Sequence, residues 1–268
     1  DSNGNTYIIG SLNGVASAIK LDSSGSQVWA KNIGGIGNNI VINDIAIDDS
    51  GNSYMTATGN SDIFFIKLDS TGNLLWAKQI GGTGSELASS IAVDSSGNIY
   101  ATGYFSGTVD FDPGSDVTTL TSGVTDIFIT KLDSSGNLDW VKQISNKLPL
   151  GFGKSIVVDS NGNSYTTGRF SGTVDFDPGS GVTELTSSAM TPDIFITKLD
   201  SNGNLVWVRK QGGNFQDFGI SIAVDSNGNT YTIGHVGIDC FITKRDSNGN
   251  LVWENQIGSS GIGFYGNS

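Results

Sequence analysis

The chain repeats itself five times, and this limits the folds open to it more than any other feature. The string Asp-x-x-Gly-Asn-x-Tyr begins at Asp1, Asp48, Asp94, Asp159 and Asp225, which places its tyrosines at Tyr7, Tyr54, Tyr100, Tyr165 and Tyr231. A second string, Leu-Asp-Ser-x-Gly-x-x-x-Trp, ends at Trp29, Trp76, Trp140, Trp207 and Trp253, with Arg245 replacing Leu in the last copy. Repeat starts are 47, 46, 65 and 66 residues apart, and the difference sits in one place. From Tyr to the position held by Val15, Asp62, Asp126, Asp193 and Asp239 the gaps are 8, 8, 26, 28 and 8, and from there to Trp the gap is always 14. A fixed period of this size means stacked supersecondary units, each burying a face against its neighbours.

Each unit reads as four short strands. Ile-Ala-Val-Asp is the first, the Tyr-x-x-Gly segment the second, Asp-Ile-Phe-Ile-Thr-Lys-Leu the third, and the residues around Trp the fourth. These are β-branched and aromatic runs bounded by Ser, Asp, Asn and Gly, with no 3.6-residue apolar stripe, so no helix is expected. The Asp-x-x-Gly strings fall between strands one and two and again between three and four. There Gly accepts a left-handed backbone and the Asp carboxylate can accept bonds from the amides that follow. The fold expected is all-β: a β-propeller of four-stranded antiparallel blades, five repeats visible, over residues 1–268 as one domain, with inserts at 105–124 and 170–190. An open solenoid has shorter rungs and would not place one Trp and one Tyr per four strands.

The series Ile-Ala-Val-Asp-Ser-x-Gly-Asn-x-Tyr-x-x-Gly, Asp-Ile-Phe-Ile-Thr-Lys-Leu-Asp-x-x-Gly-Asn-Leu-x-Trp and Gln-Ile-Gly-Gly resembles the bacterial β-propeller repeat called SBBP. The resemblance implies an exported or surface-anchored module without assigned catalysis. The family's name refers to seven blades, whereas five repeats are present. A weaker similarity to quinoprotein dehydrogenases rests on a Trp packed against the next blade, but the Asp-to-Gly spacing is one residue shorter and the quinone site is not carried. The repeat phase, opening at Asp1 just after a first strand should end, gives the expectation that the chain belongs to something longer.

Composition closes off several chemistries. One Cys and one His leave no disulfide, zinc cluster or multi-histidine centre. With 14 Lys+Arg against 26 Asp+Glu, the net charge of −12 argues against nucleic acid and anionic lipid as partners. No apolar run reaches the roughly 18–20 residues of a membrane-spanning helix.

Residues present in every unit are explained by the fold, so Trp29, Trp76, Trp140, Trp207 and Trp253 are read as structural, packing between blades. Function is sought where the repeat is broken. In an up-and-down blade all ten Asp-x-x-Gly turns lie at one end, and both inserts lie at the other together with the variable linker 146–152. A ridge of two adjacent inserts is the expected contact region, with Tyr104, Phe105, Arg169 and Phe170 at its base. Each insert reads as an extra hairpin turning at Asp-Pro-Gly-Ser. Its carboxylates, Asp110, Asp112 and Asp116 in the first and Asp175 and Asp177 in the second, suit either a calcium loop or an acidic turn satisfied by its own hydrogen bonds. The second reading is favoured, because Gly181 stands where the first insert has Asp116.

Cys240 is expected to be a small buried residue and His235 a surface one. The Lys preceding each Leu-Asp is expected to pair with nearby Asp. No catalytic residue and no cofactor is assigned, calcium excepted as the possibility above. The function expected is a non-enzymatic extracellular or cell-surface module for adhesion, assembly or protein–protein interaction. Glycan binding or polysaccharide processing is the alternative. Partners would be other surface proteins or a glycan.

Overall fold

The computed structural model describes residues 1–12, 15–33, 39–145, 148, 151–188 and 191–258, which contain twenty-one β-strands and no α-helix. The fourth repeat shows the unit plainly. Strands β12 (Phe152–Val158), β13 (Ser164–Phe170), β16 (Asp193–Leu199) and β17 (Leu205–Gln211) form an antiparallel sheet in that order. The fifth is built alike from β18 (Asp217–Val224), β19 (Thr230–Val236), β20 (Asp239–Arg245) and β21 (Leu251–Ile257). The second repeat holds β4 (Val41–Ile47) to β7 (Leu74–Gly82), the third β8 (Glu86–Val93), β9 (Ile99–Asp110), β10 (Thr119–Leu132) and β11 (Leu138–Ile144). Three strands of the first repeat, β1 (Thr6–Leu12), β2 (Val15–Leu21) and β3 (Gln27–Asn32), are described. These are the meander blades that the repeat predicts.

The third strand of each unit is apolar at successive positions because it is buried on both faces. Successive side chains of a strand point to opposite sides. Phe128 accordingly enters a core shared with Tyr54 and Phe65 of the preceding blade, while Ile127 and Ile129 enter one shared with Ile156 and Phe195 of the next. Stacking blades face to face turns one strand into part of two cores. The first strands β4, β8, β12 and β18 pack on one another in series, which puts them on the inner side of the arc.

All ten Asp-x-x-Gly segments are the same three-residue hairpin loop. In each the Gly N–H donates to the Asp carbonyl, and the Gly takes a φ between 76° and 83°, the left-handed position of a type I turn closed by a bulge. The Asp carboxylate is fully used. Asp159 Oδ1 accepts the amides of Asn161 and Asn163 at 2.9 and 3.0 Å, and Oδ2 accepts Asn163 Nδ2 at 2.8 Å and the Tyr165 hydroxyl at 2.9 Å. The Asp, Asn and Tyr of the repeat string are therefore one hydrogen-bonded cap.

Tryptophan joins the blades. The indoles of Trp29, Trp140 and Trp207 donate to the carbonyls of Ser70, Ser201 and Ser247 in the following repeat at 3.2, 3.1 and 3.0 Å. Trp76 holds the same register position but presents a different edge of its indole, Cη2 and Cζ2, to Gly136 of the following repeat, and its Nε1 is buried without an acceptor. Trp253 stands edge-on to Tyr231 and is 37% exposed. The lysine ring differs from expectation. Lys20, Lys67, Lys131, Lys198 and Lys244 each sit over the ring of Tyr7, Tyr54, Tyr100, Tyr165 or Tyr231, 4.7 to 5.7 Å from its centroid. Among the described residues only Lys20 and Lys131 of the five also reach a carboxylate. The tyrosine cap lies in line with each lysine on the paired strand, so the ring face is the nearer partner.

Candidate functional site on the insert-bearing face

One end of the arc carries the ten capped turns, whose Asp carboxylates accept the amides of their own turns. The other end carries the strand two–three connections, the blade linkers and both inserts. It is the end that the repeat leaves undetermined.

Each insert is a hairpin continuing its blade. In the first, β9 and β10 run on beyond the blade, with Asp110, Val109 and Thr108 paired to Thr119, Leu120 and Thr121. In the second, β14 (Thr173–Asp175) pairs with β15 (Glu184–Thr186). The first insert also leans back on the preceding blade, where Gly81 and Gly82 of β7 pair with Asp110 and Val109. A Cβ on Gly82 would lie 2.0 Å from the Thr108 carbonyl oxygen, so this close approach requires glycine. The inserts stand side by side, with Leu120 of the first lining an open cleft beside Asp175, Asp177 and Glu184 of the second. Residues 146, 147, 149 and 150 of the expected linker, and 189 and 190 of the second insert, lie outside the described residues.

Two of the four expected contact residues are not on the surface. Phe105 and Phe170 are 0% exposed. Phe105 stands edge-on to Phe111 at 5.2 Å, and Phe111 in turn packs on Phe128 at 5.2 Å. Phe170, Phe176 and Phe195 repeat the arrangement at 5.1 and 5.2 Å. The Phe-Ser-Gly-Thr-Val-Asp-Phe string of each insert is thus an anchor: its two rings close on each other and fix the hairpin to its blade.

The insert carboxylates act inside their own turns. Asp110 Oδ1 accepts the amides of Asp112 and Thr118 at 3.1 and 2.9 Å, and Asp175 Oδ1 accepts those of Asp177 and Thr183 at 3.0 and 2.8 Å. Asp112 and Asp177 likewise accept from Gly114 and Gly179 at 2.7 and 2.8 Å. Asp116 is exposed beyond this network. Among the described residues no three His, Cys, Asp or Glu side chains come together as a metal site.

Tyr104 and Arg169 do reach the rim of the inner strands, at matching positions. Tyr104 pairs with Leu87, Arg169 with Phe152 and His235 with Phe218, each between the first two strands of its blade. The Arg169 guanidinium lies between two rings, 4.4 Å from the Phe152 centroid and 4.7 Å from that of Phe218 in the next blade. Its Nε is buried without an acceptor, and burial lowers its pKa from the ordinary arginine value. His235 is buried, contrary to expectation, and Cys240 is half-buried, its Sγ 3.6 Å from His235 Nδ1. Both follow from the paired register of β19 and β20, which sets the two side chains against each other.

Two acidic positions on this rim were not singled out by sequence. Glu86 is 2% exposed with both carboxylate oxygens unpartnered, and burial, then the charge of Asp62, pushes its pKa up to about 7. Asp217, at the same position of the fifth repeat, is fully buried and is raised by burial and by neighbouring Asp193. It accepts the amides of Gly213 and Gly237 at 2.7 and 2.8 Å, while Asp193 accepts Lys210 Nζ at 2.8 Å. Both acids lie eight residues before the repeat Asp and face the Asp that opens strand three of the preceding blade. That offset was the available signal. Both carboxyls are closed off from solvent.

Exposed apolar side chains of the inserts, strand ends and blade linkers include Val117 and Val182, 73% and 74% exposed, and Val41, Phe215 and Ile238. The second insert's turn reaches the outer strand of its own blade, where Asp177 and Thr183 line an open cleft with Trp207, Arg209 and Asn248.

Comparison with known proteins agrees with this architecture. An uncharacterized WD repeat-containing protein of Acanthamoeba polyphaga mimivirus is 33% identical over 109 residues, 35% of this chain and 8% of that protein. The Dos1 propeller superposes with a TM-score of 0.52 at 14% identity, over 92% of this chain and 56% of that one. Cobalt-substituted Synechocystis ACO does so at 0.51 and 11% identity, over 97% and 59%. This chain therefore spans under two thirds of each relative, and the structural likenesses show the fold alone. The SBBP β-propeller repeat matches residues 28–65, 75–104, 139–169 and 206–235, and with Trp-joined four-stranded blades built on that same string, the chain belongs to the SBBP β-propeller repeat family.

Proposed function

We propose that the chain is a non-catalytic, extracellular interaction module that binds a protein partner through its insert-bearing face. The observation that carries this reading is the exposure of Val117 and Val182 on the inserts and of Val41, Phe215 and Ile238 at the blade linkers and the strand two–three connection, the segments the repeat does not dictate. Exposed apolar groups on the variable segments of a rigid scaffold mark an interaction surface. The acidic, Ser/Thr/Asn/Gly-rich composition supports placement outside the cell, and the absence of any assembled nucleophile and base among the described residues supports binding over catalysis. A photo-crosslinking residue at Val182 should capture a partner that the same residue at Ser160, in a capped turn, does not. Equal capture from both positions would sink the reading.

Glycan binding is the second reading, favoured by the polar cleft between the inserts, where Lys142, Gln143, Asp177 and Glu184 could bond sugar hydroxyls. An oligosaccharide panel separates the two readings, since a saccharide that competes with crosslinking at Val182 would favour the cleft.

A further inference from the structure

Arg169 is held in a way the fold does not need. The slot is filled by Thr58, Tyr104, Arg169 and His235 in successive repeats, so no common contact demands a cation there. The other two arginines each donate to backbone carbonyls, although the Nε of Arg245, like that of Arg169, is buried without an acceptor. Arg209 donates to the carbonyls of Gly249, Val208 and Asn248 at 3.1, 2.8 and 2.8 Å, and Arg245 to Gly249 at 3.3 Å. Arg169 has no acceptor and no ion pair among the described residues, in a chain with 26 carboxylates. Leaving a desolvated charged donor unpaired is costly. Phe152 and Phe218 nevertheless hold it in place from two different blades.

We infer that the Arg169 clamp is a carboxylate-binding site that receives an acidic side chain or a chain end of the peptide docked on the insert-bearing face. This rests on the reading of that face as a protein-binding surface. With Nε closed off, a guanidinium clamped between two rings keeps its two Nη atoms for bidentate pairing, and the planar carboxylate matches that fork. The net charge of −12 repels a dianionic phosphate more than a single carboxylate. Both ring faces nearest the site are taken by the guanidinium, which leaves no stacking platform for a sugar. Phe215 packs over the position of Gly237, two residues from His235, and Ile238 follows it. An apolar residue next to the acid fits this rim.

The test is an NMR titration of the whole chain, observing the Nε–Hε signals of its three arginines. N-acetyl-leucine is compared with N-acetyl-leucinamide, which differs only in lacking the carboxylate. The Arg169 signal should move saturably with the acid, with a dissociation constant on the order of 1–10 mM as befits one ion pair with a small probe. It should move at least about fivefold less with the amide, while Arg209 and Arg245 stay still. Arg169→Met, which keeps the apolar stem, should abolish the saturable effect in a chain of unchanged spectrum elsewhere. Should that variant fail to fold, Phe218→Leu keeps the cation and opens the clamp, and should weaken binding at least about threefold. No saturable shift, or equal shifts for acid and amide, overturns the site. Tighter binding of inorganic phosphate or of digalacturonate overturns the assignment to a peptide carboxylate. The titration reads Arg169 itself, so it can fail while crosslinking at Val182 succeeds, and the reverse.

Discussion

The hydroxyl of Tyr165 lies 2.9 Å from Asp159 Oδ2, and the same pair recurs six residues apart in every repeat. Along with two amides and the Asn163 side chain, it leaves the Asp159 carboxylate without a vacant acceptor site. Burial alone would raise the Asp159 pKa, but donation from Asn163, Tyr165 and Asn161 outweighs it and the value is lowered. Asp22, Asp69, Asp133, Asp200, Asp225 and Asp246 are lowered as well, Asp69 to about 2 by the Asn73 amide first and then by Thr71. A carboxylate whose pKa falls on folding stabilises the fold above its unfolded value near 4 and loses that contribution as pH drops through the folded value. Acid unfolding followed by circular dichroism should therefore begin below about pH 4 and steepen toward pH 2. Asp159→Asn at pH 7 should cost about 2 kcal/mol by urea unfolding, and much less at pH 2.

The indole bond between blades can be weighed against its own internal control. Trp140 donates to Ser201 while Trp76, in the matching position, has no acceptor. Replacing either by Phe removes an indole packed on the turn glycine of the next repeat, and only Trp140 loses a hydrogen bond with it. Trp140→Phe should destabilise by about 1 kcal/mol more than Trp76→Phe in equilibrium denaturation. Equal losses would mean that the indole acts through packing alone.

The insert turns give a calcium prediction. Asp110 and Asp175 already hold two amides each on one oxygen, and a cation seeking six to eight oxygens would have to compete with those bonds. Thermal unfolding in millimolar calcium and in chelator should give midpoints within about 1 °C of each other. Phe111→Ala, in contrast, removes the ring that ties the first insert to its blade and should cost about 3 kcal/mol.

The blades could be read from sequence because their information is local. Asp, Gly, Asn and Tyr of one turn bond within seven residues, so a string alone reveals the cap, and a fixed Asp-to-Trp spacing reveals the strands. The site could not be read in the same way. Arg169, Phe152 and Phe218 come from two repeats, 17 and 49 residues from the arginine, and meet only because the inner strands pack in series. A positional rule existed, since Phe152 and Phe218 both stand seven residues before their repeat Asp. Aromatic character alone misled at Phe105 and Phe170, because the insert brings its own second ring to bury them.

Glu86 ties the insert-bearing rim to pH. Its carboxyl is buried, unpartnered and faces Asp62, and its pKa is pushed up to about 7. The other charged group of the seam, Asp62, is engaged by Gln79 Nε2 at 2.5 Å and supplies no counter-charge. A carboxyl raised on folding contributes fully below its unfolded value near 4 and loses that contribution as pH rises toward 7, the reverse of the turn aspartates. The two windows adjoin: the turns gain as pH rises to about 4, and the seam between the second and third blades weakens from there toward 7. Glu86→Gln keeps the shape and stays neutral at every pH. It should leave stability near pH 5 unchanged and raise it by on the order of 1 kcal/mol at pH 8. Urea unfolding of both proteins across this range checks the sign, and a Glu86→Gln variant less stable than the parent at pH 8 would show that the ionised carboxylate is stabilised at the seam.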